Sequence, residues 1–159
     1  MSEPPQKPGK SEQSVGTPWE FIHAVENRFG RITFDIAADA SNAKAPAFFT
    51  EADDAIAHDW RSLVGKIWCN PPFGDINRFA EKCASKVGSF GEQDAIFLLV
   101  PASVGANWYW DFVAPRADVY ALSPRLKFIG HADPYPKDLI LAVFGKHTGG
   151  VFKRWKWKS

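Results

Sequence analysis

Between Asp94 and Pro101 the chain runs Ala-Ile-Phe-Leu-Leu-Val without a polar interruption. A strand with one wet face alternates apolar and polar residues. This one is apolar on both faces, so both must be covered, as in the inner strand of a parallel sheet. The connections of such a sheet are helices, and the rest of the chain has to supply them.

It does so on both sides of the run. Thr17-Pro18 opens a helix, with a capping residue type followed by the residue that fits a first turn. Phe21, Ile22, Val25 and Phe29 follow at helical spacing, and Gly30 stops it. Arg31–Ile36 reads as a strand, rich in β-branched and aromatic residues. Residues 37–60 read as irregular. Lys66–Cys69 is a short strand, cut off by Asn70-Pro71-Pro72-Phe73-Gly74, since two prolines cannot continue a sheet. Asp75 is placed to cap a second helix, whose apolar face is Ile76, Phe79, Ala80 and Cys83. A helix over about 104–113 follows Pro101. Ala117–Ala121 and Leu139–Phe144 are the last core strands, and Val151–Trp157 is a candidate edge strand. The pattern predicts an α/β fold: a mostly parallel twisted sheet, helices on both faces and an antiparallel C-terminal hairpin.

The length of 159 residues suits one domain. Residues 1–16, rich in Pro, Ser, Lys, Glu and Gln, read as a disordered tail, which leaves 17–159 as the folded unit. No apolar run approaches the length of a membrane span, and the first residues have no apolar core of a secretory signal. Cys69 and Cys83 form no CxxC pair, so a disulfide framework or structural zinc is not expected and a reducing cytoplasm fits. His23, His58, His131 and His147 are not spaced as metal ligands, so no metal is expected.

In parallel sheets ligands bind beyond the carboxyl ends of the strands. Two polar groups stand there: Asp35 after the first strand and Asn70-Pro-Pro-Phe73 after the next. A carboxylate at a strand end is a candidate cleft residue. A second feature is charge placement. The net charge is only +1, but from Leu139 onward there is no acidic residue, while Lys146, Lys153, Arg154, Lys156 and Lys158 alternate with Trp155 and Trp157. Cations and indoles in that pattern suit phosphate contact and base stacking, although a solvated strand rich in lysine has the same composition.

Asn70-Pro71-Pro72-Phe73 resembles the (D/N/S)PP(Y/F) motif of methyltransferases that act on exocyclic amines of bases. Thr17-Pro-Trp-Glu-Phe21, Phe34-Asp-Ile-Ala-Ala-Asp39, Asn42-Ala43, Phe48-Phe-Thr50, Asp59-Trp60, Trp68 to Phe73, Leu99-Val-Pro101 and Arg125-Leu-Lys-Phe128 occur in the same chain and in that order. The series is similar to the phage-encoded DNA N6-adenine methyltransferase (Dam) family, over about residues 17–145. The resemblance implies a Rossmann-like class I methyltransferase, S-adenosylmethionine as cofactor, and adenine in double-stranded DNA as substrate. It also implies a phage or prophage protein at work in the cytoplasm of a bacterial host.

The chemistry explains the motif. The adenine amino lone pair is delocalised into the ring. Acceptors at the Asn70 side chain and the Pro71 carbonyl would each take one N6–H and turn the lone pair out of the plane. Proline fixes φ and aims the backbone, and Phe73 would stack on a base that has left the duplex. Pro72 completes this catalytic set. Neither cysteine is placed as a cytosine-C5 nucleophile. For the cofactor, the resemblance implies Thr17 and Pro18 at the methionine part, Asp35, Ala37 and Ala38 around the ammonium, and Asp59 at the adenine amine, with Asn42 and Phe49 lining the pocket. The glycine-rich loop of the wider superfamily is replaced by Ala37-Ala-Asp-Ala40. Candidate DNA-binding residues are Arg125, Phe128, Lys153, Arg154, Trp155 and Lys156. Cytosine-N4 methylation, an RNA or protein amine substrate, and a non-catalytic nucleic-acid-binding protein on the same fold remain open alternatives, as do the target sequence and the oligomeric state.

Overall fold

The computed structural model describes residues 16–38 and 42–159. The expected N-terminal tail, apart from Gly16, lies outside the described residues, as does Asp39 of the loop after the first strand. One sheet of seven strands organises the chain: β1 (Phe34–Asp35), β2 (Ala47–Phe48), β3 (Lys66–Cys69), β4 (Ala95–Pro101), β5 (Ala117–Ser123), β6 (Leu139–Gly145) and β7 (Phe152–Lys156). The spatial order is β2-β1-β3-β4-β6-β5-β7. All pairings are parallel except those of β6 with β4 and with β5, so β6 alone runs against the other six. The expected antiparallel hairpin is therefore β5–β6, and β7 is the edge strand, parallel to β5.

Two helices cover opposite faces. In α1 (Trp19–Phe29), Phe21, Ile22 and Val25 are fully buried with Trp68, Phe97, Leu99 and Leu141. In α2 (Ile76–Ser85), Ile76, Phe79, Ala80 and Cys83 pack with Ile67, Cys69, Ile96 and Leu98. Successive strand residues point to opposite faces. The uninterrupted apolar run of β4 thus supplies Phe97 and Leu99 to one layer and Ile96, Leu98 and Val100 to the other. A short π-helical turn, Tyr109–Val113, adds Val113 to the α2 side. No helix is long and apolar enough to cross a membrane, among the described residues.

Three local expectations are corrected. Helix α1 begins one residue later than expected, with Pro18 at the N-cap and no side-chain cap; the Thr17 hydroxyl is engaged elsewhere. Asp75 precedes α2 but does not cap it, because both its oxygens accept from the Arg78 guanidinium at 2.7 Å. Residues 37–60 hold a two-residue strand, β2, and two short 3₁₀ turns, with a third starting at Trp60, rather than irregular chain alone. The predicted stop at Gly30 holds: its φ of 111° is open to glycine, and its N–H donates to the Glu26 carbonyl at 2.9 Å.

The topology locates a cleft. From β1 the chain moves outward to β2, then returns past β1 to β3 on its other side. The crevice at such a reversal lies beyond the carboxyl ends of the two neighbouring strands. Those ends carry Asp35 and Asn70.

Candidate active site

Strand β3 lies between β1 and β4, and its last residue, Cys69, is fully buried. Pro71 and Pro72 have no N–H, so the ladder ends and the chain turns out of the sheet. The Asp75 N–H closes the turn on the Pro72 carbonyl at 2.9 Å, and α2 starts. Asn70 is left at the carboxyl end of this inner strand, half-buried. Its Nδ2 donates to Thr17 Oγ1 at 3.1 Å. Its Oδ1 is buried without a hydrogen-bond partner. An unmet acceptor of this kind costs about 1–3 kcal/mol, and in a native fold it asks for an explanation.

Thr17 is itself 1% exposed and tightly placed. The Gly16 carbonyl accepts from the Ile129 N–H at 3.0 Å. A Cβ added at Gly16 would stand 3.2 Å from Ile129 Cδ1 and 3.4 Å from Asn42 Cβ, so the three segments approach closely here. The Pro18 carbonyl accepts from Phe21 and Ile22, which tie it to the first turn of α1. The structure thus brings Thr17, Asn42 and Asn70 near one another from three parts of the chain, with Ile129 against Gly16.

An aromatic chain flanks the motif. Phe73 meets Tyr135 edge-on at 5.7 Å, and Tyr135 meets Phe128 edge-on at 5.5 Å. The backbone of Tyr135 is fixed by its N–H to the Leu126 carbonyl at 2.7 Å. Phe128 is buried, so Tyr135 stands between it and Phe73. Sequence reasoning missed Tyr135. The available signal was an aromatic held between Pro134 and Pro136 in an otherwise polar segment.

At the end of β1, Asp35 is 3% exposed. Its carboxylate accepts from the Lys44 backbone N–H at 2.9 Å and from the Ala37 N–H at 3.3 Å, so it draws both ends of the following loop inward. Burial outweighs these bonds and pushes its pKa up to about 6. The Ala38 N–H donates to the Phe49 carbonyl at 2.9 Å. Beyond β2, Phe49 packs edge-on to Phe34 and stacks on the His58 ring at 4.4 Å. Asp59 stands apart from Asp35. It is exposed, it caps the Trp60–Ser62 turn through the Arg61 N–H, and both its oxygens accept from the Arg61 guanidinium at 3.0 Å. Those bonds hold its pKa down at about 2.

The basic end divides by face. The Trp155 ring points to the α1 side, against Phe21, Phe29 and Tyr120, with the Arg28 guanidinium 5.1 Å from its centroid. Lys153 lies over Tyr120, Arg154 reaches Ser123 at 3.0 Å, and Lys156 is exposed. Arg125 forms an exposed ion pair with Asp138 at 3.0 Å. Among the described residues, no three His, Cys, Asp or Glu side chains gather as a metal site would require.

A mostly parallel sheet flanked by helices, with one reversed strand and with Asp35 and Asn70 at the topological reversal, is consistent with a methyltransferase-like α/β protein. The chain belongs to the DNA N-6-adenine-methyltransferase (Dam) family, whose sequence profile matches residues 6–138. Two relatives are similar to it. "Putative methyltransferase YfdM" of Escherichia coli (strain K12) is 33% identical over 75 residues, covering 42% of this chain and 82% of the relative. "DNA N-6-adenine-methyltransferase" of Escherichia phage T1 is 24% identical over 133 residues, covering 84% of this chain. The match spans 54% of the phage T1 protein's own length.

Proposed function

We propose that this chain transfers a methyl group from S-adenosylmethionine to the N6 amine of adenine in double-stranded DNA, with the base turned out of the duplex into the cleft at Asn70–Phe73. The observation that carries the reading is the buried Asn70 Oδ1 without a partner. Thr17 takes one N–H of the amide and so turns the carbonyl oxygen away from itself. That oxygen is a preorganised acceptor for an N–H that the protein does not supply. On this reading residues 17–159 form one catalytic domain with a Rossmann-like class I architecture, at work in a bacterial host cell.

The donor set fits the cofactor. A buried carboxylate, Asp35, suits an ammonium. Asn42 and Thr17 border the same end of the cleft, and Ala37 and Ala38 let the loop approach closely without a glycine. Phe49 and Asp59 lie towards β2 and suit an adenosine. The Asp59–Arg61 pair is exposed and exchangeable, as surface ion pairs contribute little. When bound, S-adenosylmethionine supplies an electrophilic methyl group on a sulfonium.

The protein's own residues do the rest. Asn70 Oδ1 and the Pro71 carbonyl accept the two N6–H bonds, which orients the lone pair and stabilises the charge that grows on nitrogen. Pro71 and Pro72 hold this geometry by their fixed φ. Phe73 stacks on the base, with Tyr135 and Phe128 buttressing the ring. Phosphate contacts fall to Arg125, Lys153, Arg154 and Lys156. The Trp155 indole, packed against α1, serves the fold rather than a base.

The test is incubation of unmethylated plasmid with the protein and S-adenosylmethionine, followed by nucleoside mass analysis. N6-methyladenine is the expected product. N4-methylcytosine in its place would overturn the base assignment, and no modified nucleoside from protein that binds the cofactor would overturn the substrate.

A further inference from the structure

Lys44 is buried at a position that no sequence pattern marks. Its side chain is 5% exposed, yet its Nζ has no hydrogen-bond partner. The ammonium lies 4.3 Å from the centroid of the Trp19 ring. Its own backbone N–H is bonded to Asp35 Oδ2, and the Asp35 carboxylate is turned to backbone donors rather than to the ammonium. A cation and an anion are therefore buried side by side at the carboxyl end of β1, near Thr17 and α1, without closing on each other.

A buried ammonium without an acceptor is unfavourable, and an aromatic face offsets only part of that loss. The arrangement becomes favourable when an anion arrives. Burial pulls the Lys44 pKa down while the nearby Asp35 charge pulls it up, so a second negative group would further favour the charged amine. A DNA phosphate stays at the surface, and Lys44 lies behind Trp19. A small anion that enters with the cleft's own ligand reaches it more easily.

We propose that Lys44 binds the carboxylate of the methyl donor's amino-acid end while Asp35 takes its ammonium, so that two opposed charges held apart in the protein match the zwitterion. Trp19 is the platform that carries the unpaired ammonium in the free state. This rests on the reading of the cleft as a methyl-donor site.

The experiment is calorimetry on the intact chain with S-adenosylmethionine and with its decarboxylated form, which keeps the ammonium and the sulfonium. The parent is expected to prefer S-adenosylmethionine by about ten- to a hundred-fold, the scale of one charge-assisted bond. Lys44→Met should erase that preference by weakening S-adenosylmethionine alone, and Lys44→Arg should restore part of it. Equal binding of both ligands by the parent overturns the assignment without any variant. So does a folded Lys44→Met that keeps the preference or weakens both ligands alike. If the parent binds neither ligand, the methyl-donor reading itself fails, and Lys44 with it.

Discussion

The Asn70 side-chain amide donates to the Thr17 hydroxyl at 3.1 Å, which joins the end of β3 to the segment before α1 across 53 positions of sequence. The bond decides which end of the amide is left over. With Nδ2 engaged, Oδ1 is the buried acceptor. On the proposed reading of the cleft, Thr17 is thus a positioning residue for Asn70, in addition to any contact it makes with the cofactor.

Asn70→Ala should lower methyl transfer by about a hundred-fold or more, as loss of one preorganised partner does, with cofactor affinity little changed. Thr17→Val keeps the shape but frees the amide to rotate. It should lower the maximal rate by about ten-fold, and Thr17→Ser should recover it. If Thr17→Val changes only cofactor affinity, the hydroxyl acts on the cofactor and not on Asn70.

Asp35 gives a pH dependence with a definite sign. In the free protein its pKa is raised to about 6 by burial. A cationic ammonium binds the ionised form, so below that pH the site must release a proton before binding. Cofactor affinity should be flat above about pH 7 and should fall towards ten-fold per unit below pH 6. Proton release near pH 5, seen as a buffer-dependent heat, should vanish in Asp35→Asn. Affinity in the parent that does not change between pH 5 and 8 would remove Asp35 from the ammonium site.

Tyr135→Ala should raise the DNA concentration needed for half-maximal rate about ten-fold and leave cofactor binding unchanged. The basis is the loss of the ring behind Phe73, on a scale of about 1–3 kcal/mol for an aromatic partner of a base. Tyr135→Phe keeps the ring and its edge contacts with Phe73 and Phe128, so it should lose less than Tyr135→Ala. Steady-state rates against DNA at saturating cofactor distinguish the two variants.

What was legible in the chain follows from periodicity and punctuation. Phe21, Ile22, Val25 and Phe29 gave α1 its face, and the double proline placed Asn70 at a strand end. What was not legible depends on contacts distant in sequence. The Thr17 hydroxyl looked like a helix cap because local rules favour capping, yet a partner 53 residues away holds it. Strand β2 is two residues long, too short for any alternation to show. Tyr135 and Lys44 sit in loops, where no period marks them. Lys153 to Lys156 read as one basic aromatic cluster, and only the pleat of β7 beside β5 showed that Lys153 and Trp155 turn to the Tyr120 side while Arg154 and Lys156 turn away.

That packing of Trp155 separates fold from DNA contact in the last prediction. Trp155→Ala removes a half-buried ring from Phe21, Phe29 and Tyr120 and should destabilise the protein by about 2–4 kcal/mol, read as a shifted urea midpoint. Replacing Lys153, Arg154 and Lys156 together by Ala should move that midpoint far less, because all three side chains are exposed and Lys153 adds only a cation over the Tyr120 ring. It should instead weaken binding to all DNA sequences about equally. Each lost phosphate contact lowers the steepness of log affinity against log salt by about 0.9, so the slope should flatten by up to about 3. Phosphate contacts position a protein without reading bases, which points to a short or relaxed target sequence. A triple variant that retained its salt slope but lost discrimination between sequences would show that β7 reads bases rather than the backbone.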